Sequence, residues 1–140
     1  MTLTDEERSA LVMYRIQRSH EAWAETKKII EDKLWYAAAN RMYYSCFYMT
    51  SAVLISHGLS ASTHGGVIRM LGLHFVVTGK ISSELNRFYV QLFELRQRSD
   101  YDDYIQITSV DVLPMVEQAE QYMQTIEKII KEKQQNQIIT

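Results

Sequence analysis

The segment that decides the fold is Trp35–Ser56, WYAAANRMYYSCFYMTSAVLIS. It contains one charged side chain, Arg41, and neither glycine nor proline, so nothing in it interrupts a helix. A helix that is apolar on nearly every side lies at the centre of a bundle or in a contact between subunits. Its longest mostly apolar run, residues 42–55, is too short and too polar to span a bilayer. We therefore expect a buried helix and no membrane segment.

The chain on either side of this segment is charged and amphipathic. Between residues 34 and 79 the only charged side chains are Arg41 and Arg69, whereas both flanks are rich in charge. Apolar positions recur at helical spacing in three flanking segments: Val12, Ile16, Trp23 and Ile30; Leu85, Phe88, Leu92 and Leu95; Val116, Ala119, Met123, Ile126 and Ile130. This periodicity predicts an all-α helical bundle.

Capping residues and helix breakers set the predicted bounds. Thr4 caps helix one, helix two covers about 35–56 before Gly58, helix three covers about 67–77 before Gly79, helix four runs from Ser82 or Ser83 to near Asp103, and Ser109 or Asp111 caps helix five. Pro114 falls close to the first turn of that helix, where proline is tolerated. The pattern predicts one domain, residues 1–133, followed by a frayed tail, residues 134–140.

The composition limits the function classes. The formal net charge of −2 gives no general attraction to nucleic acid, so contact with RNA requires a local basic patch. Cys46 is the only cysteine and cannot form an intramolecular disulfide, which fits a reducing compartment. The first residues have neither the basic nor the apolar region of a signal peptide. We expect a cytoplasmic protein.

The densest group of reactive side chains is the stretch 96–104, RQRSDYDDY. Its residues permit three interpretations. Arg96 with Asp100, and Arg98 with Asp102, are four residues apart and can form ion pairs along a helix or between subunits. The arginines can instead bind the phosphate of RNA or of a nucleotide without hydrolysing it. In the third interpretation the patch cleaves RNA.

Helix two carries polar side chains that can face this stretch. A buried arginine is costly unless it is paired, so we expect Arg41 to contact Asp100, Asp102 or Asp103. The alternative is a second phosphate contact. Asn40 and Tyr44 lie on neighbouring turns and either line the same groove or form hydrogen bonds between helices.

The four histidines, His20, His57, His64 and His74, show no metal-binding spacing with another histidine or with cysteine. The sequence therefore predicts no metal site and no cofactor. His64 stands beside two glycines, which favours a capping or loop residue over a catalytic one. The roles of His64 and His74 stay open at this point.

Four separate pieces of the chain resemble the HEPN family. They are Ala38–Tyr44 (AANRMYY), Thr63–Ile68 (THGGVI), His74–Lys80 (HFVVTGK) and Leu92–Asp102 (LFELRQRSDYD), in that order. The resemblance implies an up-and-down four-helix bundle with an additional short helix, which is usually a homodimer. It also implies work on RNA or nucleotides.

Many members of that family are metal-independent endoribonucleases, and several act as toxins beside a minimal nucleotidyltransferase. Their catalytic motif is an arginine followed by four to six residues and a histidine. Arg96 matches the arginine, whereas Tyr101 occupies the histidine position at the shortest spacing. The resemblance thus implies an RNA- or nucleotide-binding module with a degenerate motif, and leaves open whether it is an enzyme. A non-catalytic homodimeric protein-interaction adaptor is the alternative.

Overall fold

A computed structural model describes residues 2–139 of the protein, with side chains described as far as residue 136. Every regular element in the described chain is helical, as predicted. The elements are α1 (Asp5–Glu31), α2 (Trp35–Ser56), α3 (His64–Leu71), a π-helical turn (Gly72–Val76), α4 (Ser83–Tyr101), α5 (Ser109–Val112), a 3-10 turn (Leu113–Met115) and α6 (Val116–Ile139). Helices α1, α2, α4 and α6 form the bundle, and α3 and α5 are short additions.

Local capping fixes two of the long helices at the predicted residues. The Thr4 hydroxyl accepts a hydrogen bond from the Glu7 amide at 3.1 Å, and the Glu7 carboxylate accepts one from the Thr4 amide at 3.0 Å. This reciprocal capping box starts α1. The Ser82 hydroxyl accepts from the Leu85 amide at 3.1 Å and starts α4.

Helix α2 is the centre of the bundle and packs against α1, α4 and α6. From Ala38 to Ser56 every one of its residues is buried or half-buried within this single chain. The sequence left open whether this helix lies at the centre of a bundle or in a contact between subunits; α1, α4 and α6 cover it within one chain. Burial of α2 therefore does not require a second subunit, and the homodimer remains a prediction. Among residues 2–139, no helix is long and apolar enough to cross a membrane.

Helix α3 begins at His64, three residues earlier than the sequence predicted. The reason is Thr63, whose hydroxyl accepts a hydrogen bond from the Gly66 amide at 2.9 Å and so caps the helix. The helix continues into the π-helical turn and closes near Gly79, whose φ of +80° suits glycine. His64 is consequently the first residue of a helix and not a loop residue.

The C-terminal part differs from the prediction in two details. Thr108, and not Ser109 or Asp111, caps α5. Asp111 lies three residues after the cap and accepts a hydrogen bond from the Thr108 amide at 2.9 Å. Pro114 then sits in a 3-10 turn that separates α5 from α6. The backbone of residues 134–139 continues α6, Thr140 lies outside the described residues, and fraying of this tail stays a prediction.

Candidate functional site

The candidate site is built around Arg96, an arginine that the bundle buries. Only 8% of its surface is exposed. Its Cζ atom lies 5.5, 5.3 and 5.6 Å from the ring centroids of Tyr43, Tyr44 and Tyr101. Guanidinium groups are attracted to aromatic faces at such distances. The rings of α2 and the last residue of α4 thus hold the charge in one place.

Polar contacts fix the orientation of this guanidinium. Nη2 of Arg96 donates a hydrogen bond to the Tyr44 hydroxyl at 3.1 Å. Nε lies 2.9 Å from Oδ2 of Asp100. This contact is an ion pair without a hydrogen bond, because the N–H of Nε does not point at the carboxylate oxygen. Asn40 donates to the same Asp100 oxygen at 3.2 Å. The predicted pairing of Arg96 with Asp100 is therefore present, and Asn40 and Tyr44 join it.

The remaining nitrogen of Arg96, Nη1, is the one that is available to a ligand. Among the described residues it has no hydrogen-bond or ion-pair partner, and unlike Nε it is not sealed from solvent. Guanidinium N–H groups are strong donors to phosphate oxygens. The cluster therefore offers one available cationic donor beside a carboxylate that is already engaged.

Arg41 corrects one sequence prediction, because it does not face the acidic stretch of α4. Its Nη2 lies 3.6 Å from Oε1 of Glu25 on α1, and its Cζ lies 5.9 Å from the Tyr44 ring. One residue along a helix turns the side chain by about 100°. Asn40 therefore points toward Asp100, while Arg41 points toward α1.

The prediction of a second ion pair, between Arg98 and Asp102, is also wrong. Helix α4 ends at Tyr101, and Asp102 has extended backbone angles, φ −90° and ψ 130°. Asp102 is the C-cap residue and its amide still donates to the Arg98 carbonyl at 3.1 Å, so the spacing of four residues is kept but does not by itself bring the two side chains into contact. No ion pair joins them in the described part of the chain; they line a shallow surface depression with Tyr101. Arg98 and Asp102 lie outside the Arg96 cluster.

His64, whose role the sequence left open, lies beside the Arg96 guanidinium and its aromatic neighbours. Its Nδ1 lies 2.6 Å from the Tyr43 hydroxyl, and its ring centroid lies 4.8 Å from that of Phe47 and 6.1 Å from that of Tyr44. Burial, and then the positive charge of Arg96, lower the pKa of this imidazole below its usual value. The signal in the sequence was Thr63, whose capping role places His64 on the first turn of α3.

Tyr43 supports the imidazole from within the core. Burial raises the pKa of its phenol to about 12, so the hydroxyl keeps its proton at neutral pH. Its ring also contacts the guanidinium of Arg96, at 5.5 Å. The cluster thus joins α2, the start of α3 and the end of α4. It is called the Arg96 cluster below and comprises Asn40, Tyr43, Tyr44, His64, Arg96, Asp100 and Tyr101.

A family model described as "HEPN domain" matches residues 12–136, which cover nearly the whole bundle. This chain belongs to the HEPN domain family. The match agrees with the resemblance seen in the sequence and with the all-helical fold.

Relatives in other organisms agree with this assignment, and a solved structure agrees with the fold. A "UPF0332 protein" of Thermotoga maritima is 34% identical, over 90% of this chain and 96% of that protein. A Methanocaldococcus jannaschii protein named "Putative toxin MJ0605" is 32% identical, over 84% of this chain and 87% of its own length. The crystal structure of the protein TT1696 from Thermus thermophilus aligns with a TM-score of 0.72 over 84% of this chain and 96% of that chain, at 10% identity, which supports the fold alone.

The side chains of the Arg96 cluster determine which chemistry this HEPN chain can perform there. Arg96 supplies a fixed cation, His64 a half-buried imidazole, and Tyr44 and Asn40 neutral polar groups. Tyr101, at the position of the motif histidine, is 67% exposed and lies against Arg96. Among residues whose side chains are described, no group of three or more histidine, cysteine, aspartate or glutamate side chains could hold a metal ion. Such a set can bind a phosphate and move a proton.

Proposed function

We propose that this HEPN protein is a toxin-type module that binds RNA at the Arg96 cluster. The observation that carries the proposal is Nη1 of Arg96, which has no partner among the described residues and is held in a fixed position by Tyr44 and Asp100. A guanidinium that is oriented before the ligand arrives loses little entropy on binding. A phosphate oxygen is the acceptor that such a donor fits best.

The neighbouring aromatic ring favours RNA over free phosphate. The Tyr101 ring lies 5.6 Å from the guanidinium, and two thirds of the residue is exposed. Single-stranded RNA is commonly held by a cation at the backbone and an aromatic ring under a base. A base stacked on the outer face of Tyr101 would place its phosphate near Arg96.

Asp100 limits the affinity of this site. Its carboxylate lies 2.9 Å from Arg96 Nε and repels an incoming phosphate. Binding through one principal cation releases few counterions, so the electrostatic gain is small and the affinity changes only slightly with salt. We therefore expect weak binding with a shallow salt dependence, which suits a module whose substrate is abundant or whose partner holds the RNA.

The partners are part of the same proposal. Two relatives from Methanocaldococcus jannaschii carry the name "Putative toxin", which supports a toxin paired with an antitoxin. A minimal nucleotidyltransferase is the antitoxin that the family resemblance implies, and a homodimer would bring two Arg96 clusters into one cleft. A protein-interaction adaptor is the second candidate. It is favoured by the exposed side chains of Tyr104, Val110 and Leu113 beside the α4–α5 loop.

The test is the affinity for a fluorescently labelled single-stranded RNA, measured by anisotropy in EDTA. Arg96→Gln removes the cation, and Arg87→Gln is the matched control, because Arg87 is exposed on the same helix without a partner in the described chain. Loss of a hydrogen bond to a charged group, about 1.5–3 kcal/mol, corresponds to a roughly tenfold or greater weakening. The control should stay within about twofold.

Melting curves of both variants establish that they are folded. Equal weakening by the two substitutions, or no binding by the wild type, would contradict RNA binding at Arg96. If mononucleotides bind with the same dependence on Arg96, the ligand of the site is a nucleotide and not RNA.

A further inference from the structure

We infer that His64 is the proton acceptor of an RNA-cleaving site, oriented by Tyr43, and that it takes the place of the histidine missing at position 101. The inference rests on the proposed function, because the imidazole acts on RNA whose phosphate Arg96 holds. It goes further by assigning a catalytic residue that the Arg96 motif does not contain.

His64 and Arg96 contact the same two aromatic residues. Their side chains come from different helices, α3 and α4, and are 32 residues apart in sequence. Tyr43 contacts both, through its hydroxyl to His64 at 2.6 Å and through its ring to Arg96 at 5.5 Å. Tyr44 also contacts both, since it accepts a hydrogen bond from Arg96 and its ring lies 6.1 Å from that of His64. An arginine and an imidazole are thus held together without the motif spacing.

The other three histidines do not share these surroundings. His20 pairs with Glu127 at 2.6 Å on the α1–α6 surface. His57 contacts the Val53 carbonyl and packs edge-on against Phe75. His74 is exposed on the π-helical turn. Of the four, His64 is the histidine that lies within the Arg96 cluster.

The orientation of the imidazole ring leaves one of its nitrogens available. Nδ1 is engaged by Tyr43, whereas Nε2 has no hydrogen-bond partner among the described residues. The residue is half-buried, so the ring is held by aromatic neighbours and keeps access to solvent. A base needs one ring nitrogen that is fixed and a second that is available. His64 meets both conditions when Nδ1 carries the hydrogen and the Tyr43 hydroxyl accepts it.

The protonation state of His64 suits a proton acceptor. Burial and then the charge of Arg96 lower the pKa of His64, so its imidazole is neutral at pH 7 and able to accept a proton. The titratable and charged groups that surround it are Tyr43 and Tyr44 on α2 and Arg96 on α4, with Asp100 beyond Arg96. Burial holds the pKa of Tyr43 at about 12, which leaves its hydroxyl neutral over the same range.

The reaction is an internal transfer that needs no metal and no redox partner. Nε2 of His64 takes the proton from a ribose 2′-hydroxyl, and the 2′-oxygen forms a bond to the adjacent phosphorus. The bond between phosphorus and the 5′-oxygen breaks, and that oxygen takes a proton from water. The products are a 2′,3′-cyclic phosphate and a 5′-hydroxyl end, and the imidazolium returns its proton to solvent. Nη1 of Arg96 stabilises the charge that develops on the phosphate oxygens.

The experiment is single-turnover cleavage of a 5′-labelled single-stranded RNA in EDTA, with binding measured on the same samples. His64→Gln is compared with wild type and with His74→Gln, the matched exposed histidine. We expect cleavage by wild type that leaves 2′,3′-cyclic phosphate ends and does not occur on an all-2′-deoxy substrate. His64→Gln should lower the rate by about 10²–10⁴-fold with little change in binding, and His74→Gln should leave it unaltered.

A second readout does not depend on how well His64→Gln folds. The wild-type rate should rise with pH below about 6.5 and then level off as the imidazole becomes neutral. Tyr43→Phe, which keeps the ring and removes the acceptor, should lower the rate while binding is retained. RNA binding without cleavage, a His64→Gln protein as fast as wild type, or a rate independent of pH from 5 to 8 would each overturn the inference and leave the proposed RNA binding intact. Absence of binding as well as cleavage would overturn both.

Discussion

Asp100 Oδ2 lies 2.9 Å from Nε of Arg96, one helical turn away, and this contact occupies one side of the only buried arginine in the described chain. The carboxylate has two opposite effects. It compensates the buried positive charge, and it competes with a phosphate for the same guanidinium. Stability and RNA binding are therefore opposed at this residue.

The first prediction follows from that opposition. Asp100→Asn removes the charge while keeping an acceptor, so the affinity for RNA should rise, by roughly tenfold if the competition is worth about 1.4 kcal/mol. The free energy of unfolding should fall by about 1–3 kcal/mol, because the arginine loses its ionic partner. Anisotropy and urea unfolding measure the two effects. Asp102→Asn is the control, since it makes the same change of charge outside the cluster. An equal gain in affinity in this variant would show that the change in net charge alone causes the effect.

Arg41 provides a second prediction, which reverses the expectation from sequence. Pairing with a buried carboxylate would have made Arg41→Met cost about 3–5 kcal/mol. Its partner is Glu25, an exposed residue 3.6 Å away, and such surface pairs contribute about 0–1 kcal/mol. The melting temperature of Arg41→Met should therefore stay close to that of wild type. A loss of several kcal/mol would mean that Arg41 has a buried anionic partner.

The difference between Arg41 and Asn40 shows where sequence reasoning stops. The bounds of α2 and the caps at Thr4 and Ser82 depend on residues close together in sequence, and they were predicted correctly. Which neighbour, Asn40 or Arg41, faces α4 depends on the rotation of α2 in the packed bundle. A step of one residue, about 100°, decides it. No local pattern contains that angle.

The same limit explains why the sequence left the role of His64 open. Thr63 caps α3, which begins at His64 and packs against α2, so that Tyr43 and Tyr44 contact both His64 and Arg96. A motif search compares the spacing of residues along one helix. It therefore identifies Tyr101 and cannot identify a histidine on another helix. The cap at Thr63 was visible in the sequence; the packing of α3 against α2 was not.

Tyr101 gives a third prediction, which joins the two positions. If the Arg96 cluster needs one imidazole, Tyr101→His should restore RNA cleavage to the slow His64→Gln protein, because residue 101 also contacts Arg96. General acid–base catalysis accounts for about 10²–10⁴-fold, so a partial recovery would be visible in single-turnover assays. Tyr101→Phe in the same background is the matched control and should recover nothing. A double variant no faster than His64→Gln alone would show that residue 101 cannot supply the base.

The fourth prediction concerns the dependence of stability on pH. Burial is the main cause that lowers the pKa of both His64 and His57 in the folded protein. Between the lowered values and about 6.5 the unfolded chain binds more protons than the folded one, so the free energy of unfolding rises with pH across that window. The urea midpoint should accordingly fall as the pH is lowered from 7.5 to 5.5. Replacing either histidine by glutamine should flatten this slope, and a midpoint that does not change in wild type would refute the prediction.

The most direct test of the Arg96 cluster as an RNA site is to locate bound RNA on the protein. A single-stranded RNA carrying 4-thiouridine can be cross-linked by ultraviolet light and the modified residues identified by mass spectrometry. RNA binding at the Arg96 cluster predicts cross-links at Tyr101 and at neighbouring residues of α4 and α2, and their loss in Arg96→Gln but not in Arg87→Gln. Cross-links confined to another surface, such as the lysine-bearing face of α6 around Lys128 and Lys131, would contradict it.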